Sequence, residues 1–109
     1  MNENRYITEE SLIQFHRFLQ QEERSTGTIE KYMRDVKNFA FWIKDQSSVP
    51  SGFPCCEVTK DVAIRWKQYL LQSGRAPSTV NSMLAAVNTY FKFMCWQDIR
   101  IKAIRLQKS

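Results

Sequence analysis

Hydrophobic and polar positions repeat with the period of an α-helix in four separate stretches of the chain. The clearest stretch runs from Gly74 to Trp96, where apolar residues recur at the i, i+3, i+4 and i+7 spacing of one helix face. Pro77 suits the first turn of such a helix, where no backbone N–H has to be donated. The opposite face carries small polar side chains and Lys92 but no acidic residue. Since a solvated face usually mixes Glu with Lys, this face is expected to lie against a polar, negatively charged partner.

A second helix repeats the first at an offset of 51 residues. The residues 24–29 align with 75–80, and the apolar stripe that follows keeps the same register. Ser25 is the predicted cap of this helix. Its stripe comprises Ile29, Tyr32, Met33, Val36, Phe39, Ala40 and Ile43. Two copies do not make a solenoid, but they indicate two similar helices with the same role.

Two further helices complete an all-α, four-helix fold. Thr8 can cap a helix that ends near Glu23, and Thr59 can cap another that continues through Ser73. Residues 1–7 are expected to be frayed, and 45–58 are expected to form a loop. Inward positions of the third helix are Val62, Trp66, Tyr69 and Leu70. The four stripes should meet in one core that buries Tyr32, Phe39, Trp66, Val87 and Phe91.

Composition and charge narrow the class of protein. The 109 residues are 43% hydrophobic, with three Trp, four Tyr and seven Phe, so a packed core is expected. No apolar run approaches a membrane span and no signal peptide is recognisable, which predicts a cytoplasmic protein without membrane contact. The residues 60–109 hold nine Lys or Arg and only Asp61 and Asp98, whereas 1–59 are slightly acidic. This asymmetry, with the acid-free helix face, favours a nucleic-acid partner and most of all duplex DNA.

No pattern in the sequence indicates catalysis or a cofactor. Glycine-rich phosphate loops, paired carboxylates and metalloprotease or hydrolase motifs are absent. Cys55 and Cys56 are adjacent, so together with Cys95 and His16 they lack the spacing of a zinc site. Reduced structural thiols are therefore expected, and no metal or cofactor is predicted.

The sequence resembles the N-terminal core-binding domain of a known family, the phage integrases or tyrosine recombinases. The resemblance rests on Ser25-x-x-Thr28-Ile29-x-x-Tyr32 with Phe39 and Trp42, on the segment 58–62 and on 75–86. It covers essentially residues 8 to 106. It implies a SAM-like orthogonal bundle over residues 1–98, followed at 99–109 by a basic linker toward a catalytic domain that these residues do not contain. The near-alternation of Ile or Leu with Lys or Arg suggests an extended segment lying on a surface. Residues 99–109 are expected to be poorly ordered without DNA or a following domain, because they have no partner surface of their own.

The resemblance also implies what the domain does. It would clamp core-site DNA in a site-specific recombinase, acting in integration and recombination, with other protomers bound on the same DNA and a monomer in its absence. None of the four tyrosines is expected to be a nucleophile. The expected DNA contacts lie on the second and fourth helices: Arg24, Thr28, Lys31, Arg34, Arg75, Thr79, Asn81, Ser82, Asn88 and Lys92. Asn81 and Asn88 have the side chain that pairs with adenine edges in the major groove.

Two departures from the family's pattern stand out, and two other functions stay open. Ala76 stands where a capping Ser or Thr is usual, which weakens that helix start by about 1 kcal/mol. Ser82 and Asn88 occupy positions that often carry Arg or Lys in the family. The first alternative function is a helical protein–protein interaction module, which would not bind DNA even at low salt. The second is a small enzyme, for which the sequence offers no convergent catalytic set.

Overall fold

The computed structural model describes residues 5–46 and 56–104 and places four helices around one hydrophobic core. The helices are α1 (Glu9–Gln21), α2 (Thr26–Gln46), α3 (Lys60–Gln72) and α4 (Pro77–Phe93). Two short strands, β1 (Tyr6–Ile7) and β2 (Cys56–Glu57), pair antiparallel, and a turn of 3-10 helix (Gln97–Ile99) follows α4. The all-α, four-helix prediction is confirmed. Across the described residues no helix is both long and apolar enough to span a membrane.

The helices begin where the sequence predicts, and three of them have a side-chain cap. Thr8 accepts a hydrogen bond from the backbone N–H of Ser11 at 3.0 Å, and Ser11 Oγ accepts one from the N–H of Thr8 at 2.9 Å. Thr59 Oγ1 caps α3 at 3.1 Å, and Ser25 Oγ caps α2 at 3.2 Å. Ala76 stands at the same place before α4 and offers no side-chain bond. One helix therefore starts with its first N–H groups uncapped by a side chain.

The predicted core is largely confirmed, with a difference on α3. Phe39, Trp66, Val87 and Phe91 are buried, and Tyr32 packs against them while partly exposed. Tyr69, which the sequence pattern places inward, has 46% of its surface exposed. The reason is that Ala63, Trp66 and Leu70 share the face of α3 that meets the core, and position 69 lies beside that face.

The start of the chain is more ordered than the sequence suggests. Ile7 is fully buried, and β1 pairs with β2 so that Tyr6 lies opposite Glu57. The backbone N–H of Val58 also donates to the carbonyl of Arg5 at 2.7 Å. The expected fraying is therefore wrong for residues 5–7, because an apolar side chain and a strand partner hold them in place. The residues 1–4 and 47–55, with most of the predicted loop, lie outside the described part of the chain.

The internal repeat extends over the whole fold. The helices α1 and α3 have the same length, begin after Thr8 and Thr59, and keep the offset of 51 residues that also relates α2 to α4. The turn after the first helix of each half contains a residue with positive φ, Glu23 at 57° and Gly74 at 85°. Glycine adopts this conformation without a steric penalty, whereas glutamate does not.

Contacts between the two halves of the repeat also involve residues that are equivalent at the offset of 51. The rings of Phe15 and Tyr90 lie 5.2 Å apart in an edge contact, and the equivalent rings of Trp66 and Phe39 lie 4.7 Å apart. Each half therefore inserts the first of its two helices against the second helix of the other half. The domain therefore consists of two β-α-α units that make reciprocal contacts at equivalent positions, and α2 packs beside α4 as the central pair.

Candidate nucleic-acid interface

The outward face of α4 is small, polar and free of negative charge. Ser78, Ala85 and Lys92 are exposed along it. The acidic residues that flank α4 along the sequence are Asp61 and Asp98, and each is paired. Asp61 lies 3.0 Å from Arg65, and Asp98 lies 2.7 Å from Arg5, whose guanidinium lowers the pKa of that carboxyl below its ordinary value. Lys92, the one cation of α4, is therefore exposed without a carboxylate on its own helix.

The turn before α2 holds its polar groups in local contacts. The guanidinium of Arg24 lies over the ring of Tyr32, 5.3 Å from its centroid, in a cation–π contact. Its Nε is buried and has no hydrogen-bond partner. The hydroxyl of Ser25 donates to Thr28 Oγ1 at 2.9 Å. A predicted contact cation is thus held against an aromatic ring at the start of the helix.

The equivalent turn before α4 is more open. Arg75 is exposed, and its guanidinium donates to the hydroxyl of Ser73. Thr79, in the first turn of α4, is exposed too. On α2, Arg34 is exposed on the side away from the core. These three side chains are placed on the surface, as the sequence predicts.

Lys31 forms an ion pair and a hydrogen bond within the protein, whereas the sequence predicts an exposed contact with a DNA phosphate. Its ammonium group pairs with the carboxylate of Asp35, which is only 3% exposed, and it also donates to the carbonyl of Ser82 at 3.2 Å. Ser82 is itself half-buried, and the position of Asp35 corresponds to the fully buried Ala86 in the other half. Part of the small face of α4 thus makes room for α2. Sequence alone cannot distinguish a small residue that admits a helix from one that admits DNA.

The two asparagines predicted to read bases are also bonded within the protein. Asn88 donates to the carbonyl of Ile101 and accepts from its N–H, both at 2.8 Å. Asn81 makes the same pair of bonds with Ile104, at 2.9 and 2.6 Å. Each side-chain amide thus uses one N–H and its oxygen to bond the backbone of one residue of the same chain. We call residues 99–104 the strap, because they lie along α4 and are held there by these bonds.

The strap packs on the bundle, so the expectation that this segment lacks a partner surface is wrong for residues 99–104. Ile99 and Ile101 are each 3% exposed, and Ile104 is partly buried against the core. Lys67 of α3 donates to the carbonyl of Lys102 at 2.6 Å. The alternation of Ile with Lys or Arg predicted an extended segment lying on a surface, and the strap does lie along α4. In the structure the isoleucines enter the core while the intervening cations stay outside.

A groove of about 1010 Å³ lies between α4 and the strap. Ala85 and Thr89 line its α4 side, and the positive side chains along it are Lys92, Arg100 and Lys102. None of its lining residues is acidic. Arg100 and Lys102 were predicted to lie in a linker, and in the structure they are part of this surface. The signal that was present is the spacing of Asn81 and Asn88, which puts two amides on one helix face two turns apart.

The site residues predicted from sequence therefore separate into two sets in the structure. Side chains exposed at the surface are Arg34, Arg75, Thr79 and Lys92, and Arg24 and Thr28 are partly exposed at the start of α2. Lys31, Asn81 and Asn88 bond to protein groups, and Ser82 supplies a carbonyl to one of them. In the described part of the chain, no group of three His, Cys, Asp or Glu is arranged to hold a metal ion.

Comparison with known proteins identifies a family. The model of the family described as phage integrase, N-terminal SAM-like domain, matches residues 12–98. This range covers all four helices apart from the first turn of α1. No curated protein and no solved structure matches the chain.

Proposed function

We propose that this chain, which belongs to the phage integrase N-terminal SAM-like domain family, clamps duplex DNA at the core site of a site-specific recombinase. The family is one of integrase core-binding domains, and membership implies DNA binding. The 109 residues contain this domain and no catalytic recombinase domain. Strand cleavage and rejoining would therefore be the work of other residues than these.

The observation that carries the proposal is the acid-free, cationic surface of α4 and the strap. Lys92, Arg100 and Lys102 line one groove there, and Arg75 is exposed before the helix. Lys and Arg side chains that neutralise phosphates supply the sequence-independent part of DNA affinity. Small residues between them allow a phosphate backbone to approach the helix closely.

The proposed contacts follow the exposure of the side chains. Arg34, Arg75 and Lys92 would pair with phosphates, while the two helix starts with Arg24, Thr28 and Thr79 would lie against the backbone. Ser82 is retained at the edge of the surface. Lys31, Asn81 and Asn88 support this surface from within the protein, because their polar groups are bonded there.

The test is DNA binding measured by fluorescence anisotropy over a range of salt concentrations. Arg34→Ala, Arg75→Ala and Lys92→Ala should each weaken binding for all sequences and reduce the slope of log K against log salt by roughly 0.9. The matched control is Lys60→Ala together with Arg17→Ala, which removes exposed cations from α3 and α1. If the control lost as much affinity as the named variants, the binding would be diffuse attraction and the assignment of α2 and α4 would be wrong.

We further propose that the domain is a monomer in the absence of DNA and meets other protomers only on the recombination site. Sedimentation of the domain alone and with a duplex that carries two half-sites tests this. A stable dimer without DNA would refute it.

A second function is favoured by an apolar groove between α1 and α2. Ile13 and Phe41 are 49% and 50% exposed there, with Met33 and His16 beside them. Exposed apolar side chains of this size are typical of a protein contact. A protein–protein module of this kind would show no DNA binding at 50 mM salt, whereas the DNA clamp would bind most tightly there.

A further inference from the structure

The bonds between α4 and the strap form a two-point clamp with a matched spacing. Asn81 and Asn88 are seven residues apart, which is about 10.5 Å along a helix. Their partners Ile104 and Ile101 are three residues apart, and three residues of extended chain span at most roughly 10–11 Å. The strap must therefore run nearly extended and antiparallel to α4 for both amides to be satisfied at once. A slip of one residue would leave both amides and the backbone groups that they bind without partners.

The asparagine pair of α4 has no counterpart at the equivalent positions of α2. The residues at the positions equivalent to Asn81 and Asn88 are Glu30 and Lys37 on α2, which cannot both donate to and accept from one backbone residue. The equivalent of Lys67 is His16, which lines the exposed groove between α1 and α2. The amides were thus not required by the shared bundle. They are an addition that fixes the strap on α4.

The clamp determines where two cations stand. Ile99 and Ile101 are anchored in the core, so Arg100 between them is directed to the outside of the strap. Lys102 is exposed, and its carbonyl is held by Lys67. Both side chains line the groove that Lys92 enters from α4. Without the amide bonds the strap would be held by its buried isoleucines and the bond from Lys67, and these two charges would be less firmly fixed.

We propose that Asn81 and Asn88 are positioning residues that hold the strap on α4, so that Arg100 and Lys102 form with Lys92 a fixed, phosphate-binding rim of the DNA surface. This inference rests on the proposed function. It adds two contact residues and gives the asparagines a role other than base reading. Preorganised charges lose less side-chain and chain entropy on binding than charges on a loose segment.

The experiment is salt-dependent binding of a DNA duplex by the double variant Asn81→Ala/Asn88→Ala. This variant removes no charge, yet the slope of log K against log salt should fall by about one to two units, since the two rim phosphates are no longer held. Affinity at 0.1 M salt should fall about tenfold or more for every sequence. Arg100→Ala/Lys102→Ala should give the same loss, and combining the two pairs should add little.

Amide hydrogen exchange monitors the strap independently of DNA. In the double variant the protection of Ile101 and Ile104 should be lost while the amides of the α4 core remain protected. Gln68→Ala is the matched control, because Gln68 carries an exposed side-chain amide on α3 and lies outside the lining of the groove. It should change neither the exchange of the strap nor the salt slope.

Other outcomes would overturn the inference in distinguishable ways. If the double variant kept the slope of log K against log salt and lost affinity for the cognate site alone, the asparagines would read bases. In that case the strap would have to leave the two amides when DNA binds. Tighter binding by the double variant would show that the strap covers the DNA surface. A wild-type domain that bound no duplex at low salt would refute the proposed function itself, whatever the strap amides showed.

Discussion

The ion pair between Lys31 and Asp35 leads to a stability prediction that differs from the one that the sequence pattern gives. On the pattern alone, Lys31 is an exposed contact whose removal leaves stability unchanged. In the structure Lys31→Ala leaves the carboxylate of Asp35, 3% exposed, without its cation. It also removes a hydrogen bond to the carbonyl of Ser82 on the neighbouring helix. The free energy of unfolding should therefore fall.

The size of the loss follows from burial. Removing one partner of a fully buried ion pair costs about 3–5 kcal/mol, because a charge is left without compensation. The Lys31 side chain is 32% exposed, so water screens part of that charge, and we expect about 2 kcal/mol. A domain of this size has a total stability of about 5–15 kcal/mol. The loss should lower Tm by roughly 10 °C.

Urea unfolding followed by tryptophan fluorescence measures this change, since Trp66 is 1% exposed and Trp96 is 7% exposed in the native state. Lys37→Ala is the matched control, an exposed lysine on the same helix, and should cost less than about 0.5 kcal/mol. A double-mutant cycle with Asp35→Asn should give a coupling energy of about 1 kcal/mol or more. If Lys31→Ala lowered the free energy of unfolding as little as the control does, and showed no coupling with Asp35→Asn, the reasoning would be refuted. Lys31 would then again be a candidate contact of the proposed DNA surface.

The two helix starts and the buried phenol lead to further predictions. Ala76→Ser should raise the free energy of unfolding by about 1 kcal/mol and Ser25→Ala should lower it about as much, because they add and remove a cap at equivalent positions. Urea titrations test both, and no gain from Ala76→Ser would contradict the argument. Burial raises the pKa of Tyr90 to about 12, and the hydrogen bond with Ser11 acts the opposite way to a smaller extent. The unfolded chain ionises this phenol near pH 10, so stability should be full below pH 10 and fall by about 2–3 kcal/mol toward pH 12; Tyr90→Phe should abolish that fall relative to wild type.

The local signals in the chain determined the elements and much of the core. Thr8, Ser25 and Thr59 cap helices at the positions that their side chains predict, since a cap depends only on residues three positions away. The apolar stripes placed Phe39 and Trp66 in the core for an equally local reason, namely the period of the helix. The repeat of 51 residues between α2 and α4 was visible in the same way. Its extension to α1 and α3 was not, because only the structure showed which rings of the two halves meet.

The roles of polar side chains on α2 and α4 were decided by the tertiary structure. Asn81, Asn88 and Lys31 have the same residue types whether they bind DNA or protein, and a sequence does not record which groups lie within 3 Å of them. The backbone partners of Asn81, Asn88 and Lys31 are 23, 13 and 51 residues away along the chain, a separation at which helix periodicity carries no information. The pairing of Lys31 with Asp35 has the i,i+4 spacing of a helix, but the burial of that carboxylate depends on the neighbouring helix. Capping and the apolar face of a helix are properties of a segment and can be predicted from its sequence, whereas the burial of Ile7 and Ile101 required the packing of distant segments. Whether a polar surface faces solvent, a neighbouring helix or the chain's own strap depends on the packing of all segments together.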